Sequence, residues 1–264
     1  MTRRSDDRSA ARKDLNPPTP KPNHGEAGKM AEEHQVRYSS NVEIACELLE
    51  LKGKAVLDVG CGEGRFTRIL AAMAAKTTGV DINAESLDRA QTKTDAEGLE
   101  VTWINARAED LPFDDASYDV VVFSNSLHHV APEMMERAIN EASRVLKSGG
   151  RLYAMEPVAE GDYFEATRMV NDESEVRKRA KAAIDNAGHA AFEPVTEVTY
   201  RSRRTFESFA EWRDEQSRRS EKRKKLLEEN EPAVRDAFMA AAREEDGKLC
   251  FDQIFRVNLL GKNG

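Results

Sequence analysis

Three glycines at alternate positions follow a short apolar run and an acidic residue, and this stretch carries the clearest chemical signal in the chain. Residues 56–66 read V-L-D-V-G-C-G-E-G-R-F, with Asp58 followed by Gly60, Gly62 and Gly64. Apolar residues then recur at helical spacing, at Phe66, Ile69, Leu70 and Met73. The pattern predicts a strand, a glycine turn and a helix. Glycine permits backbone angles and ligand contacts that other residues block, and the free N–H groups of a helix start can face negative charge.

The spacing of these glycines excludes two nucleotide-binding templates. A dinucleotide fingerprint needs a glycine where this chain has Arg65, and a P-loop needs Gly-Lys followed by Ser or Thr. The stretch resembles instead the first motif of the class I S-adenosylmethionine (SAM) methyltransferases, whose loop contacts the methionine part of SAM. The resemblance implies that SAM is the cofactor, held in part by Asp58, Gly60, Cys61, Gly62 and Gly64.

Further motifs follow in the order found in that family. Residues 77–82 read T-T-G-V-D-I, and the resemblance makes Asp81 the acceptor of the ribose hydroxyls, with Ile82 beside it. Residues 106–113 read A-R-A-E-D-L-P-F and resemble the adenine-contacting segment, with contacts from Ala108 and Glu109. Many relatives have Asp where this chain has Arg107, so the adenine contact is expected to differ in detail. An apolar strand within residues 117–130 and a helix, glycine turn and strand over 144–157 complete the series, and Ser124 is assigned to the cofactor site.

Two adjacent histidines, His128 and His129, follow the fourth apolar strand, where acceptors bind in the related enzymes. A sulfonium leaves as a neutral group, so much of the catalysis can come from holding donor and acceptor in line. An acceptor such as a phenol or enol also needs a base, and histidine titrates near neutral pH. His128 or His129 is therefore the candidate base. The alternative is that both only pack or cap the following segment.

The absence of certain motifs narrows the class of methyl acceptor. Enzymes that methylate adenine amines or glutamine amides carry [DN]-P-P-[YF] where residues 124–127 read S-N-S-L, and no cysteine follows the fourth strand to attack a pyrimidine. The chain resembles the broad group typified by ubiquinone and menaquinone biosynthesis methyltransferases. The resemblance implies a small-molecule methyl acceptor, aromatic or amphipathic.

The elements that must position these residues alternate between strand and helix over residues 53–157, and the helix over residues 135–146 is expected to stop at Gly149. The prediction is an α/β fold with a seven-stranded, mostly parallel, doubly wound Rossmann-like sheet. Residues 158–192 are polar and helix-prone and are predicted to form a helical cap or lid, and residues 193–264 supply closing strands and helices. Residues 1–29 are expected to be a disordered tail, which leaves residues 30–264 as the methyltransferase domain.

Composition favours a cytoplasmic enzyme. The 264 residues are 39% hydrophobic, with no apolar run long enough to span a bilayer and no secretory start. Cys46, Cys61 and Cys250 lack metal-ligand spacing, so no metal site is predicted. The net charge of −8 weighs against stable nucleic-acid binding. We expect a monomer or homodimer.

Two alternatives stay open. Arg201, Arg203, Arg204 and the run R-R-S-E-K-R-K-K over residues 218–225 would suit an RNA or tRNA methyltransferase, although such a run is usually a solvated helix face. The other alternative is a regulatory protein that binds SAM without turnover.

Overall fold

The computed structural model describes residues 36–74, 76–187 and 191–264, so the predicted tail over residues 1–29 lies outside the described residues. Within these ranges the chain forms eight strands, eight α-helices and two short 3-10 helices, Leu127–His129 and Pro132–Met134. The strands are β1 (Ala55–Val59), β2 (Lys76–Asp81), β3 (Thr102–Asn105), β4 (Tyr118–Ser124), β5 (Leu146–Pro157), β6 (Phe192–Phe206), β7 (Arg243–Glu245) and β8 (Lys248–Lys262). The helices are α1 (Asn41–Leu48), α2 (Arg65–Ala71), α3 (Ala84–Glu97), α4 (Met135–Val145), α5 (Asp162–Arg168), α6 (Ser174–Ala187), α7 (Phe209–Arg219) and α8 (Glu221–Ala241).

The sheet has the strand order β3-β2-β1-β4-β5-β8-β6. Strands β1 to β5 pair in parallel, whereas β8 lies antiparallel to both β5 and β6. The α/β, mostly parallel sheet expected from the sequence is therefore confirmed, and its seven strands are those of the main path. The carboxyl ends of the parallel strands meet at one edge, where ligands bind in folds of this kind.

The eighth strand, β7, is an addition that the sequence did not predict. It pairs only with β8 through a hairpin whose two loop residues, Asp246 and Gly247, have φ of 51° and 73°. An Asp-Gly pair with positive φ at both positions favours the tight turns that join antiparallel strands. The Asp-Gly turn signal is present in the sequence. The three residues of β7 are all charged, however, so they lack the alternating apolar pattern that would predict a strand.

Side chains alternate across the sheet and build a core on each face. In β1, Val56 packs into one cluster with residues of α1 and α2, whereas Leu57 and Val59 pack into the other with α4. This alternation follows from the period of two along a strand. A separate apolar cluster joins α5, α7, α8 and β8 around Trp212 and Phe238.

The segment expected to form a lid divides between two of these clusters. Helix α6 buries Ala180, Ala183 and Ile184 in the same cluster as α4, while α5 packs with α7 and α8. The sequence shows only that both helices are amphipathic, because their partners lie far away along the chain. A lid function for residues 158–192 stays a prediction.

Two helix ends matter for the site. Helix α4 ends at Val145 because Leu146 is extended and pairs with Tyr118, so the expected stop at Gly149 is wrong. Helices α7 and α8 meet at Ser220, whose extended backbone separates them and whose hydroxyl accepts from the N–H of Arg223 at 3.2 Å. The basic run over residues 218–225 therefore spans a helix junction. Every helix in the described ranges is too short or too polar to cross a membrane.

Candidate functional site

The glycine loop after β1 has an uncommon backbone at all three glycines, with φ of 74° at Gly60, 54° at Gly62 and 70° at Gly64. A Cβ at Gly60 would lie 2.5 Å from Cβ of Ser126, and one at Gly64 would lie 2.3 Å from the Trp103 ring. A Cβ at Gly62 would meet no atom of the described residues within 4 Å. Packing thus requires glycine at two positions, while the third faces open space that a ligand can enter.

Asp81 ends β2 and holds the loop in place. One carboxylate oxygen accepts from the N–H of Gly62 at 2.8 Å, and the other accepts from the N–H of Asn83 at 2.8 Å. Each carboxylate oxygen can accept a second hydrogen bond, so Asp81 can still bind a pair of hydroxyl groups. Ile82 beside it is 69% exposed, which gives this edge of the sheet an uncovered apolar side chain.

Asp58 is a buried acid beneath the loop. The Thr67 hydroxyl donates to Asp58 Oδ2 at 2.6 Å, while Asp58 Oδ1 has no partner among the described residues. Burial, with a smaller contribution from the negative charge of Asp81, raises the pKa of Asp58 to about 7. Burial and the same two carboxylates raise the pKa of the Cys61 thiol, so Cys61 stays protonated.

The segment expected to contact adenine is tied to the end of β2. The side chain of Asn105 donates to the carbonyl of Asp81 at 3.0 Å, which fixes where residues 106–113 begin. Ala108 is partly buried against the core, and the carboxylate of Glu109 lies 3.4 Å from Arg107. This ion pair uses part of the hydrogen-bonding capacity of Glu109, which is the residue proposed to accept from the adenine amine. Arg107 is also the position at which the chain departs from the family pattern.

His128 is buried, whereas His129 is exposed, and their ring centroids are 4.0 Å apart. His128 Nδ1 contacts Oε2 of Glu156, and the other oxygen of that carboxylate accepts from the N–H of Leu127 at 2.9 Å. A carboxylate accepts, so Glu156 favours the tautomer of His128 that carries its proton on Nδ1 and leaves Nε2 free as a base. Desolvation by neighbouring groups, and then the neighbouring His128, lower the pKa of His129 even though much of the residue is exposed.

Glu156 and Glu173 belong to this cluster, and the sequence did not single them out. Glu173 lies 3.9 Å from Nε2 of His128. The signal for Glu156 was an acid at the carboxyl end of an apolar strand, while Glu173 had none, since it precedes α6 and its neighbours depend on how α6 packs.

The ring nitrogens of His128 and His129 and the Glu173 carboxylate lie within 4.8 Å of one another, close enough for a metal ion. However, Arg177 contacts Glu173 at 2.6 Å and Arg223 contacts it at 3.6 Å. These guanidinium groups repel a divalent cation and already neutralise the carboxylate. The arrangement is that of an ion-pair network around a histidine.

A cavity of about 570 Å³ opens beside the loop. Its walls combine residues of the glycine loop and the end of β4 with α5, α7 and the start of α8. Of the residues that the sequence assigned to the site, its lining contains Cys61, Ser124, His128 and His129. The remaining assigned residues, which are Asp58, Gly60, Gly62, Gly64, Asp81, Ile82, Ala108 and Glu109, lie outside that lining. The cavity therefore extends from the loop at Cys61 to the histidines, while Asp81 contacts the loop outside the cavity lining, at the N–H of Gly62.

Comparison with known proteins finds a family likeness over part of the chain. Residues 56–150 match the family model described as a methyltransferase domain. The chain is 37% identical over 98 residues to an uncharacterized methyltransferase of Synechocystis, covering 37% of this chain and 44% of that protein. It is 32% identical over 127 residues to a ubiquinone biosynthesis O-methyltransferase of Coxiella burnetii, covering 48% and 53%. The chain thus spans about half the length of the curated relatives it matches.

Solved structures share the whole fold at lower identity. A candidate methyltransferase from Bacillus halodurans superposes with a TM-score of 0.64 at 22% identity, covering 86% of this chain and 100% of that one. The [4+2]-cyclase SpnF superposes with a TM-score of 0.55 at 20% identity, covering 88% and 87%. At these identities the likeness describes the fold alone, and the fold hosts more than one chemistry.

Proposed function

We propose that the protein transfers the methyl group of SAM to a small-molecule acceptor, because residues 56–150 match the methyltransferase-domain model and the glycine loop has the SAM-binding pattern. The observation that carries the proposal is the cavity that joins the glycine loop to His128, whose Nδ1 contacts the fixed carboxylate of Glu156. Part of the predicted cofactor site, at Cys61 and Ser124, and the candidate base thus border the same space.

The residues around the loop fit SAM. Gly62 faces open space, as close approach of a ligand to the backbone requires. Asp58 Oδ1 and Asn125 Oδ1 are buried without partners among the described residues, and both can accept from the ammonium group of the methionine part. The carboxylate of Asp81 suits the ribose hydroxyls, and the exposed Ile82 suits the face of the adenine. This proposal names the atoms of this chain that would contact each part of SAM, which the family likeness alone does not specify.

Bound SAM supplies an electrophilic methyl group on a sulfonium, whose departure needs no general acid. The protein must then exclude water, align the acceptor and take its proton. His128 Nε2 takes that proton, while Glu156 is a positioning residue that holds the ring and stabilises its charged form. His129 has a lowered pKa and an exposed ring, so it is the second candidate base.

The test is transfer of labelled methyl from SAM to a panel of phenols, enols and amines by wild type, His128→Ala, Glu156→Gln and the exposed-residue variant His129→Ala. We expect His128→Ala to reduce turnover on the order of 10²–10⁴-fold with SAM affinity unchanged. Glu156→Gln should reduce turnover less and shift the pH profile, as expected of a positioning residue. Full turnover in His128→Ala would remove the base assignment, and transfer to no acceptor would contradict the proposal.

Two alternatives have their own readouts. The fold is shared with a [4+2]-cyclase, so a reaction other than methyl transfer is the first alternative. It would be observed as conversion of a substrate to product without stoichiometric consumption of SAM. RNA methylation would show as label in RNA and a steep loss of binding with salt. The basic residues cited for RNA are largely paired, since Arg203 contacts Glu245 at 2.7 Å and Arg204 contacts Glu215 at 3.0 Å.

A further inference from the structure

Arginine dominates the charged lining of the cavity. Among the described residues, six arginines and three glutamates line it, in a chain whose net charge is −8. The arginines are Arg65, Arg177, Arg203, Arg204, Arg219 and Arg223. Arg203 is paired with Glu245 outside the lining, and Glu63 is paired with Arg89 and Lys93, also outside it. These pairs leave five arginines with Glu160 and Glu173. The walls around the acceptor space thus carry a local positive excess that runs against the charge of the whole molecule.

Four of these arginines form two triads, each with two guanidinium groups on one carboxylate. Glu173 contacts Arg177 at 2.6 Å and Arg223 at 3.6 Å. Glu215 contacts Arg219 at 2.6 Å and Arg204 at 3.0 Å. Each triad therefore keeps one positive charge that no contacting carboxylate of the described residues balances. An arginine in such a position has N–H groups left for an oxyanion.

The two triads lie next to each other, and Arg223 is the point where they meet. Its side chain is only 17% exposed, and it donates to the side-chain oxygen of Gln216 at 3.0 Å. Burial and repulsion from Arg219 and Arg177 lower its pKa, although Glu173 opposes the change. A charge held against burial and like-charge neighbours gains most when an anion binds beside it.

Other donors surround the same space. Arg177 Nε is buried with no partner among the described residues. The buried amide of Gln216, the hydroxyl of Tyr163 and the side chain of Asn171 also line the cavity. Planar donors with several N–H groups match the paired oxygens of a carboxylate or a phosphate. The position also borders the candidate base, because Glu173 lies 3.9 Å from Nε2 of His128.

From this arrangement we infer that the methyl acceptor is a small molecule carrying an oxyanion, a carboxylate or phosphate group, held by Arg177, Arg204, Arg219 and Arg223. This inference rests on the proposed function for its acceptor, but anion binding itself can be measured without turnover. The anion aligns the rest of the acceptor between His128 and the glycine loop. Uncharged analogues of the same shape then leave the two excess positive charges unbalanced and bind poorly.

The experiment measures binding of matched pairs, benzoate with benzamide and phenyl phosphate with phenol, to the full chain with and without S-adenosylhomocysteine. Calorimetry is run on wild type, Arg223→Gln and the control Lys225→Gln, which removes a charge that is 75% exposed on the same helix and outside the cavity lining. We expect at least one anion to bind at least tenfold more tightly than its neutral partner. Arg223→Gln should remove that preference, and Lys225→Gln should keep it. The pair that shows the larger preference for the anion indicates whether the site binds a carboxylate or a phosphate.

Arg219→Gln is the second variant, because Arg219 is 49% exposed and its loss is not expected to disturb folding. Equal binding of anions and neutral partners in wild type would overturn the inference, as would an equal loss in Lys225→Gln. Tighter binding of a short RNA oligonucleotide, weakened by Lys225→Gln, would overturn it in favour of a nucleic-acid surface. SAM affinity is measured in every variant, so a failure of the proposed function shows there and is separate from the anion results.

Discussion

Burial, rather than spacing alone, sets the chemistry of individual residues in this site. Asp58 and Asp81 both follow from the sequence motifs, yet their environments differ. Asp58 is 1% exposed and has its pKa raised to about 7, whereas Asp81 accepts two backbone hydrogen bonds at the surface of the loop. One carboxylate can therefore carry a proton near neutral pH, while the other fixes the loop.

The raised pKa of Asp58 predicts a pH-dependent stability effect of Asp58→Asn. Because the folded pKa exceeds the unfolded value of 3.8, folding takes up a proton between these values, so wild-type stability falls as pH rises towards about 7. The variant has no carboxylate to ionise. Its gain in unfolding free energy should grow from about pH 5 to about pH 8.5, on the order of 2–4 kcal/mol. Chemical denaturation at both pH values measures it, and a gain independent of pH would contradict the assignment.

Asp81→Ala tests the ribose assignment. Removal of an acceptor for two hydroxyl groups should cost on the order of 2–3 kcal/mol of SAM affinity. Asp88→Ala, which changes an exposed acid on α3, serves as the matched control and should leave the affinity unchanged. Titration calorimetry gives both values. Equal affinities for wild type and Asp81→Ala would show that the ribose is held elsewhere.

At the scale of elements, the strand, glycine turn and helix around residues 56–71 were predictable because each carries a local signal. The sequence also predicted a mostly parallel sheet with closing strands in residues 193–264. It could not predict that α6 packs with α4 or that Glu173 lies beside His128, since both depend on contacts between distant segments. The basic run over residues 218–225 was expected to be a solvated face, whereas the helix junction turns Arg219 and Arg223 towards the cavity.

Two glycines of the loop should respond differently to substitution. Gly62→Val adds a side chain where no atom of the described residues lies within 4 Å. The fold should survive, at a cost of about 1–3 kcal/mol because a β-branched residue is strained at this positive φ, while SAM binding is lost. Gly64→Ala places Cβ 2.3 Å from the Trp103 ring and should destabilise the protein itself. Thermal unfolding and SAM titration of both variants separate the effects. Wild-type SAM affinity in Gly62→Val would remove the argument from the open position.

The whole molecule combines a cofactor half that follows local motifs with a C-terminal half built by long-range packing. The apolar cluster of α5, α7, α8 and β8 holds the helices that supply Arg219 and Arg223. Its composition is visible in the sequence, but its place beside the glycine loop is not. This explains why the cofactor motifs could be recognised in the sequence and the charge of the cavity could not.

Phe238→Ala tests whether that cluster supports the cavity. Phe238 is fully buried and contacts Trp212, with ring centroids 4.8 Å apart. We expect a loss on the order of 3–5 kcal/mol in unfolding free energy. Met239→Ala, at an exposed position on the same helix, is the control and should have little effect. A loss below about 1 kcal/mol in Phe238→Ala would show that the cluster contributes little to stability.

Titration calorimetry of the wild-type protein with SAM, with NADH as the control ligand, tests the central claim most directly. The account predicts micromolar binding of SAM at one site and no binding of NADH. The glycine spacing and the carboxylates of the loop suit SAM, whereas the glycine spacing does not match the dinucleotide fingerprint that NADH requires. The absence of SAM binding, or tighter binding of NADH, would contradict the account.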